Sequence, residues 1–144
     1  MKRFAAVTLS VLTILSSTAF AADSTRFVYN GNETNISADA IFRDGYTYLP
    51  AAQVFSAAGM KVIEKTSNNS LTAEAKGKPG CVSVWIGKTK GRMNGTDIQL
   101  GKAPFVENGV TYVSSKFIEE QLGVKVNYDS SKNTIYINTT GEGK

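Results

Sequence analysis

Between Lys76 and Arg92 the chain sets its only tryptophan among five cations. Lys76, Lys78, Lys88, Lys90 and Arg92 fall in this stretch without a single Asp or Glu. At its centre is the run Cys81-Val82-Ser83-Val84-Trp85-Ile86, which reads as a strand. Strand alternation sends Val82, Val84 and Ile86 to one face, and Cys81, Ser83 and Trp85 to the other. An indole ring can stack on a sugar, while Lys and Arg neutralise anionic groups. An anionic wall polymer or an acidic glycan would satisfy both. The same residues also fit a structural arrangement, with Trp85 buried under a loop or helix and the lysines discouraging strand pairing at an edge. Both readings stand at this level.

Other constellations offer less chemistry. The 144 residues contain no His and one Cys. That excludes an imidazole general base, a Ser-His-Asp or Cys-His nucleophile and a His-built metal site. Glu119 and Glu120 are adjacent carboxylates, whereas a glycosidase needs two carboxyls facing each other across a cleft, roughly 5 to 10 Å apart. They read as a solvated helix face. Asp129, Ser130, Ser131 and Asn133 offer oxygen atoms, but the bidentate acid of a calcium loop is absent, and a polar turn is the expectation. Cys81 has two readings: a small semi-buried side chain, or half of an intermolecular disulfide. No catalytic residue, metal site or cofactor is expected.

The elements that position these residues follow an N-terminal targeting segment. Lys2 and Arg3 precede an apolar run, Phe4 to Leu15, and Ala19-Phe20-Ala21 supplies small residues for a signal peptidase. Residues 1–21 read as a secretory signal cleaved after Ala21. The apolar run is well short of the ~20 residues of a membrane span. The mature chain, Ala22 to Lys144, keeps 14 basic residues against 12 acidic, so its net charge is only +2. A nucleic-acid partner loses most of its support, and no membrane span is expected after cleavage.

Within the mature chain, one constant offset lays the second half on the first without a gap. Asn30-Gly31 falls on Asn94-Gly95; Gly45, Thr47 and Tyr48 on Gly109, Thr111 and Tyr112; Gly59, Lys61 and Val62 on Gly123, Lys125 and Val126. The offset exceeds solenoid spacing and points to duplication of one unit. Each unit predicts a hairpin, a helix and a second hairpin. Asp44-Gly45 and Asn108-Gly109 supply the tight turns. Pro50 opens the first helix. Ser114 caps the second, which carries an apolar stripe of Phe117, Ile118 and Leu122. Gly59 and Gly123 stop them. Strands follow at Lys61–Lys65, Leu71–Ala75, Val124–Tyr128 and Thr134–Thr139. The expected fold is α+β: antiparallel sheets packed on two short helices, the two repeats (about 27–75 and 91–139) joined by a basic, strand-containing link, 76–90.

The ordered set resembles the copper amine oxidase N-terminal-like domain, also called the stalk domain. Asn94-Gly95, Ala103-Pro104-Phe105, Asn108-Gly109-Val110-Thr111-Tyr112-Val113, Leu122-Gly123-Val124-Lys125-Val126 and Tyr128-Asp129 carry the likeness, with Asp44-Gly45-Tyr46-Thr47-Tyr48-Leu49-Pro50 and Ala58-Gly59 in the first copy. Trp85-Ile86-Gly87 fits the link. Ser114-Ser115-Lys116 and Ala51-Ala52 replace the family's Pro-Leu-Arg and Leu-Arg, so functions resting on those Arg residues do not carry over. Asn127-Tyr128-Asp129 is similar to the oxidase motif whose Tyr becomes a quinone, but that conversion needs copper on three His, and Tyr128 takes the family's strand Trp position. The resemblance implies a non-catalytic module of exported envelope proteins. The expected function is cell-envelope binding or scaffolding, with Trp85 as stacking platform and Lys76, Lys78, Lys88, Lys90 and Arg92 as anion contacts. The alternative is a protein-binding module, an inhibitor or accessory subunit of an exported enzyme.

Overall fold

Tight turns with both central residues at positive φ organise the hairpins. In the computed structural model, which describes residues 24–75 and 80–140, Asp44-Gly45 (φ 52° and 78°) joins strand β3 (Ile41–Arg43) to β4 (Tyr46–Pro50). Asn108-Gly109 (51° and 76°) joins β10 (Phe105–Glu107) to β11 (Val110–Ser114). Asn30-Gly31 does the same for β1 (Arg26–Tyr29) and β2 (Asn32–Glu33), and Asn94-Gly95 for β8 (Lys90–Met93) and β9 (Thr96–Gln99). Asn, Asp and Gly tolerate these angles, and the resulting turn matches the twist of paired strands. The expected signal, residues 1–21, lies outside the described residues.

Helix α1 (Ala51–Ala57) leads into β5 (Met60–Lys65) and β6 (Ser70–Ala75); α2 (Ser115–Leu122) leads into β12 (Val124–Asp129) and β13 (Thr134–Thr139). Ser114 caps α2, its hydroxyl accepting from the Phe117 amide at 3.2 Å, and Gly123 closes it in the left-handed conformation. Pro50 is not the first helical residue. It ends β4 and stands at the N-cap of α1 with extended backbone. The N–H it lacks is one that the start of a helix does not use.

The described strands form three sheets. The central one has the order β10-β11-β4-β3. A second, β12-β13-β1-β2, contains one parallel pair, β1 with β13. That pair departs from the expected all-antiparallel arrangement: the two strands lie at opposite ends of the chain, so no hairpin constrains their direction. The third sheet has five strands, β5-β6-β7-β8-β9, with β7 (Cys81–Trp85) between the hairpins. Architecture is therefore mostly antiparallel β with two short helices. α1 packs on β4, β5, β6 and β11, and α2 on β4, β11 and β12. The shared core gathers Phe27, Leu49, Val54, Phe55, Leu71, Val84, Val113, Ile118, Ile135 and Ile137.

Candidate functional site

Strand β7 alternates as its sequence predicts. Val82 and Val84 are buried in the core, and Cys81, Ser83 and Trp85 are half-buried on the other side. Register then decides which residues share that outer side. Ile63, Thr72, Ser83, Arg92 and Asp97 stand opposite one another in a single row across all five strands. The Thr72 and Ser83 hydroxyls hydrogen-bond at 2.9 Å. One step along the strands, Trp85 lies opposite Ser70, and Lys90 is two residues before Arg92, on the same side. Lys61 and Lys65 alternate onto this face from β5. The polar side of the sheet thus collects one indole and several exposed cations.

Of the expected site residues, the sheet brings Trp85, Lys90 and Arg92 together on one face. Lys88 sits in the exposed turn between β7 and β8, its amide donating to the Trp85 carbonyl at 3.1 Å. Lys76 and Lys78 lie outside the described residues. The basic stretch is free of acid only in sequence. In space, Asp97 faces Arg92 and accepts from its Nε at 3.1 Å, and Glu74 stands opposite Cys81. The Arg92–Asp97 pair is exposed on both sides, so it holds the guanidinium weakly and leaves it open to an external anion. The Cys81 amide donates to Asn94 Oδ1 at 2.8 Å.

The other sequence candidates are absorbed locally. Asp129 Oδ1 accepts from the Ser131 hydroxyl at 2.6 Å and amide at 3.0 Å, which holds its carboxyl below the usual range. The Tyr128 hydroxyl donates to Asn133, and its ring packs on Phe42 at 4.6 Å. Glu119 approaches Lys125 at 3.8 Å.

A second assembly escaped the sequence. Tyr46, Tyr48, Phe105 and Tyr112 form a continuous chain of ring contacts at 4.9 to 6.4 Å along one face of the central sheet. Arg43 stands over Phe105 at 4.9 Å and binds Glu107 at 2.7 Å; Lys102 stands over Tyr46 at 4.7 Å. The Glu107 hydrogen bond raises the Arg43 pKa further above its ordinary value. Burial raises that of Tyr112, whose hydroxyl donates to the Asp39 carbonyl at 2.8 Å. The signal for this cluster was present as alternate aromatic residues in the two hairpins.

Residues 28–137 match the family model of the copper amine oxidase N-terminal domain. The chain belongs to that family. The match runs from Val28 within β1 to Ile137 within β13, so it reaches all three sheets and both helices. The domain that gives the family its name is non-catalytic by itself. No curated protein matches the chain. Among the described residues no group of His, Cys, Asp and Glu is placed to hold a metal ion, and no helix is long and apolar enough to cross a membrane.

Proposed function

We propose that this member of the family is an exported, non-catalytic binding or scaffolding module of the cell envelope, and that it engages an anionic wall polymer or acidic glycan. The observation that carries this reading is the polar face of the five-stranded sheet. Trp85, Lys90 and Arg92 are brought onto it by register, with Lys88 at its end and Lys61 and Lys65 across it. An open sheet face suits an extended polymer. A half-buried indole supplies a flat surface for a ring, and exposed cations supply charge. The apolar leader of residues 1–21 supports export, and the recurring order of hairpin, helix and hairpin supports origin by duplication.

Co-sedimentation of the protein with purified bacterial cell walls, at low and high salt and beside Trp85→Ala, tests the reading. Binding that weakens with salt and with loss of the indole is expected, since exposed charge contacts are screened. Absence of binding at low salt overturns it.

A second reading, a protein-binding module, draws on a different surface. Phe42 is 50% exposed and Tyr128 39%. Phe42 and Tyr128 touch, forming an apolar patch away from the basic face. If walls fail to bind, Phe42→Ser and the parent protein compared by light scattering will show whether this patch joins two copies.

A further inference from the structure

Positions that match between the two halves of the sequence differ in consequence beside the two helices. Against α1 lies an open groove of about 580 Å³, walled by β1, β2 and the segment reaching Ile36 on one side and by the helix on the other. The matching space beside α2 has only about 120 Å³. The cause is in the side chains. Ala52 and Ser56 of α1 become Lys116 and Glu120 on α2. Gln53 becomes Phe117, which fills the α2 side and is 5% exposed. α1 carries its ring two positions later, as the fully buried Phe55, where α2 has Glu119. Two residues are about 200° around a helix. The aromatic has therefore moved to the other side of α1, which keeps volume in the core and vacates the groove.

The chemistry of the vacated groove is mostly polar and uncharged, with one carboxylate, Glu33, on its wall. Asn32, Asn35 and Ser56 present amides and a hydroxyl that both donate and accept. Tyr29 contributes a half-buried ring, and Ala52 and Ala57 a small apolar floor. The carboxylate of Glu33 stands on the wall in an exposed pair with Arg26, whose Nε donates to it at 2.8 Å. Gln53 fixes one wall: its Oε1 accepts from the Ser37 and Ala38 amides at 2.9 and 3.2 Å, and its Nε2 donates to the Ser37 hydroxyl at 3.2 Å.

We propose that this groove is a binding site for an uncharged sugar of one or two rings. Its volume lies in the range of small-ligand sites, roughly 300 to 1,000 Å³. A sugar offers hydroxyls to the amides and an apolar ring face to Tyr29 and the alanines. A purely apolar ligand would leave the amides unpaired, and an anionic one would meet the Glu33 carboxylate on the groove wall. The site is separate from the sheet face around Trp85 and stands or falls independently of it.

Amide chemical shifts of the isotope-labelled protein, titrated with N,N′-diacetylchitobiose, maltose and glucuronate, test the proposal. Saturable shifts at Asn32, Asn35 and Ser56 with at least one neutral disaccharide are expected. Ala52→Lys with Ser56→Glu, which transplants the α2 residues, should weaken binding at least tenfold. Asn35→Ala, on an exposed position that adds no bulk, should weaken it several-fold and guards against a folding defect in the double variant. No shifts with either disaccharide, shifts unaltered in these variants, or stronger binding of glucuronate would overturn it.

Discussion

Leu49 and Val113 stand directly opposite each other in the central β4·β11 ladder, and they are matching positions of the two halves of the sequence. The flanking pairs, Tyr48 with Ser114 and Pro50 with Tyr112, are exchanged by the same offset. A local two-fold axis therefore passes between Leu49 and Val113. Both side chains enter the shared core, 0% and 2% exposed. Leu49→Ala should lower stability by about 2–5 kcal/mol in urea unfolding. Combined with Val113→Ala it should be non-additive by about 0.5–3 kcal/mol, because the two share one packing site. Simple additivity would mean that the two halves meet without sharing that core.

The two ends of α2 make separate contributions. Ser114→Ala removes the cap on the Phe117 amide and should cost about 1 kcal/mol. Gly123→Ala forces a side chain into φ 63° and should cost about 1–2 kcal/mol, although its Cβ would meet nothing within 4 Å. Thermal unfolding of the two variants checks both. A neutral Gly123→Ala would show that the helix end relaxes out of the left-handed conformation.

Much of the local structure was legible because it rests on local chemistry. Asp44-Gly45 and Asn108-Gly109 specify their turns by tolerating positive φ, and Ser114 and Gly123 delimit α2 by hydrogen bonding and backbone freedom. The side on which Trp85 lies followed from alternation with Val82 and Val84. What was not legible depends on pairing over long separations. Nothing near Phe27 announces that β1 runs parallel to β13, with Phe27 opposite Ile135. Asp97 reaches Arg92 only through the β8·β9 register. The α1 groove was hidden for a related reason. Phe117 reads as part of an apolar stripe, and only packing shows that Phe55 carries the matching ring on a different side of its helix.

The Arg43–Glu107 pair also joins matching positions of the two halves, with side chains 47% and 41% exposed. An exposed pair contributes little, so Glu107→Gln should cost less than about 1 kcal/mol, and salt should erase the difference. Phe105 also underlies Arg43 and touches the Tyr48 and Tyr112 rings. Phe105→Ala should therefore cost about 2 kcal/mol or more, independent of salt. If the two variants were equally destabilised, charge rather than ring packing would hold this face together.

The turn at Asp129 couples the titration of one carboxyl to a hydroxyl and two amides. Its carboxyl titrates below the ordinary value of 3.8, first because Ser131 Oγ donates to it and then because the Ser131 and Lys132 amides do. A folded-state pKa below the unfolded one means that the unfolded chain takes up this proton first as the solution is acidified. The contribution is complete above the unfolded carboxylate range. It declines as pH falls through that range to the lower folded value, and below both it is gone. Ser131→Ala removes the largest cause, so the Asp129 pKa should rise toward 3.8 and the acid limb of the stability curve should lose part of its slope. Carboxyl NMR titration measures the first effect and urea unfolding across an acid series the second. An Asp129 pKa that stays put in Ser131→Ala would assign the shift to the backbone amides alone.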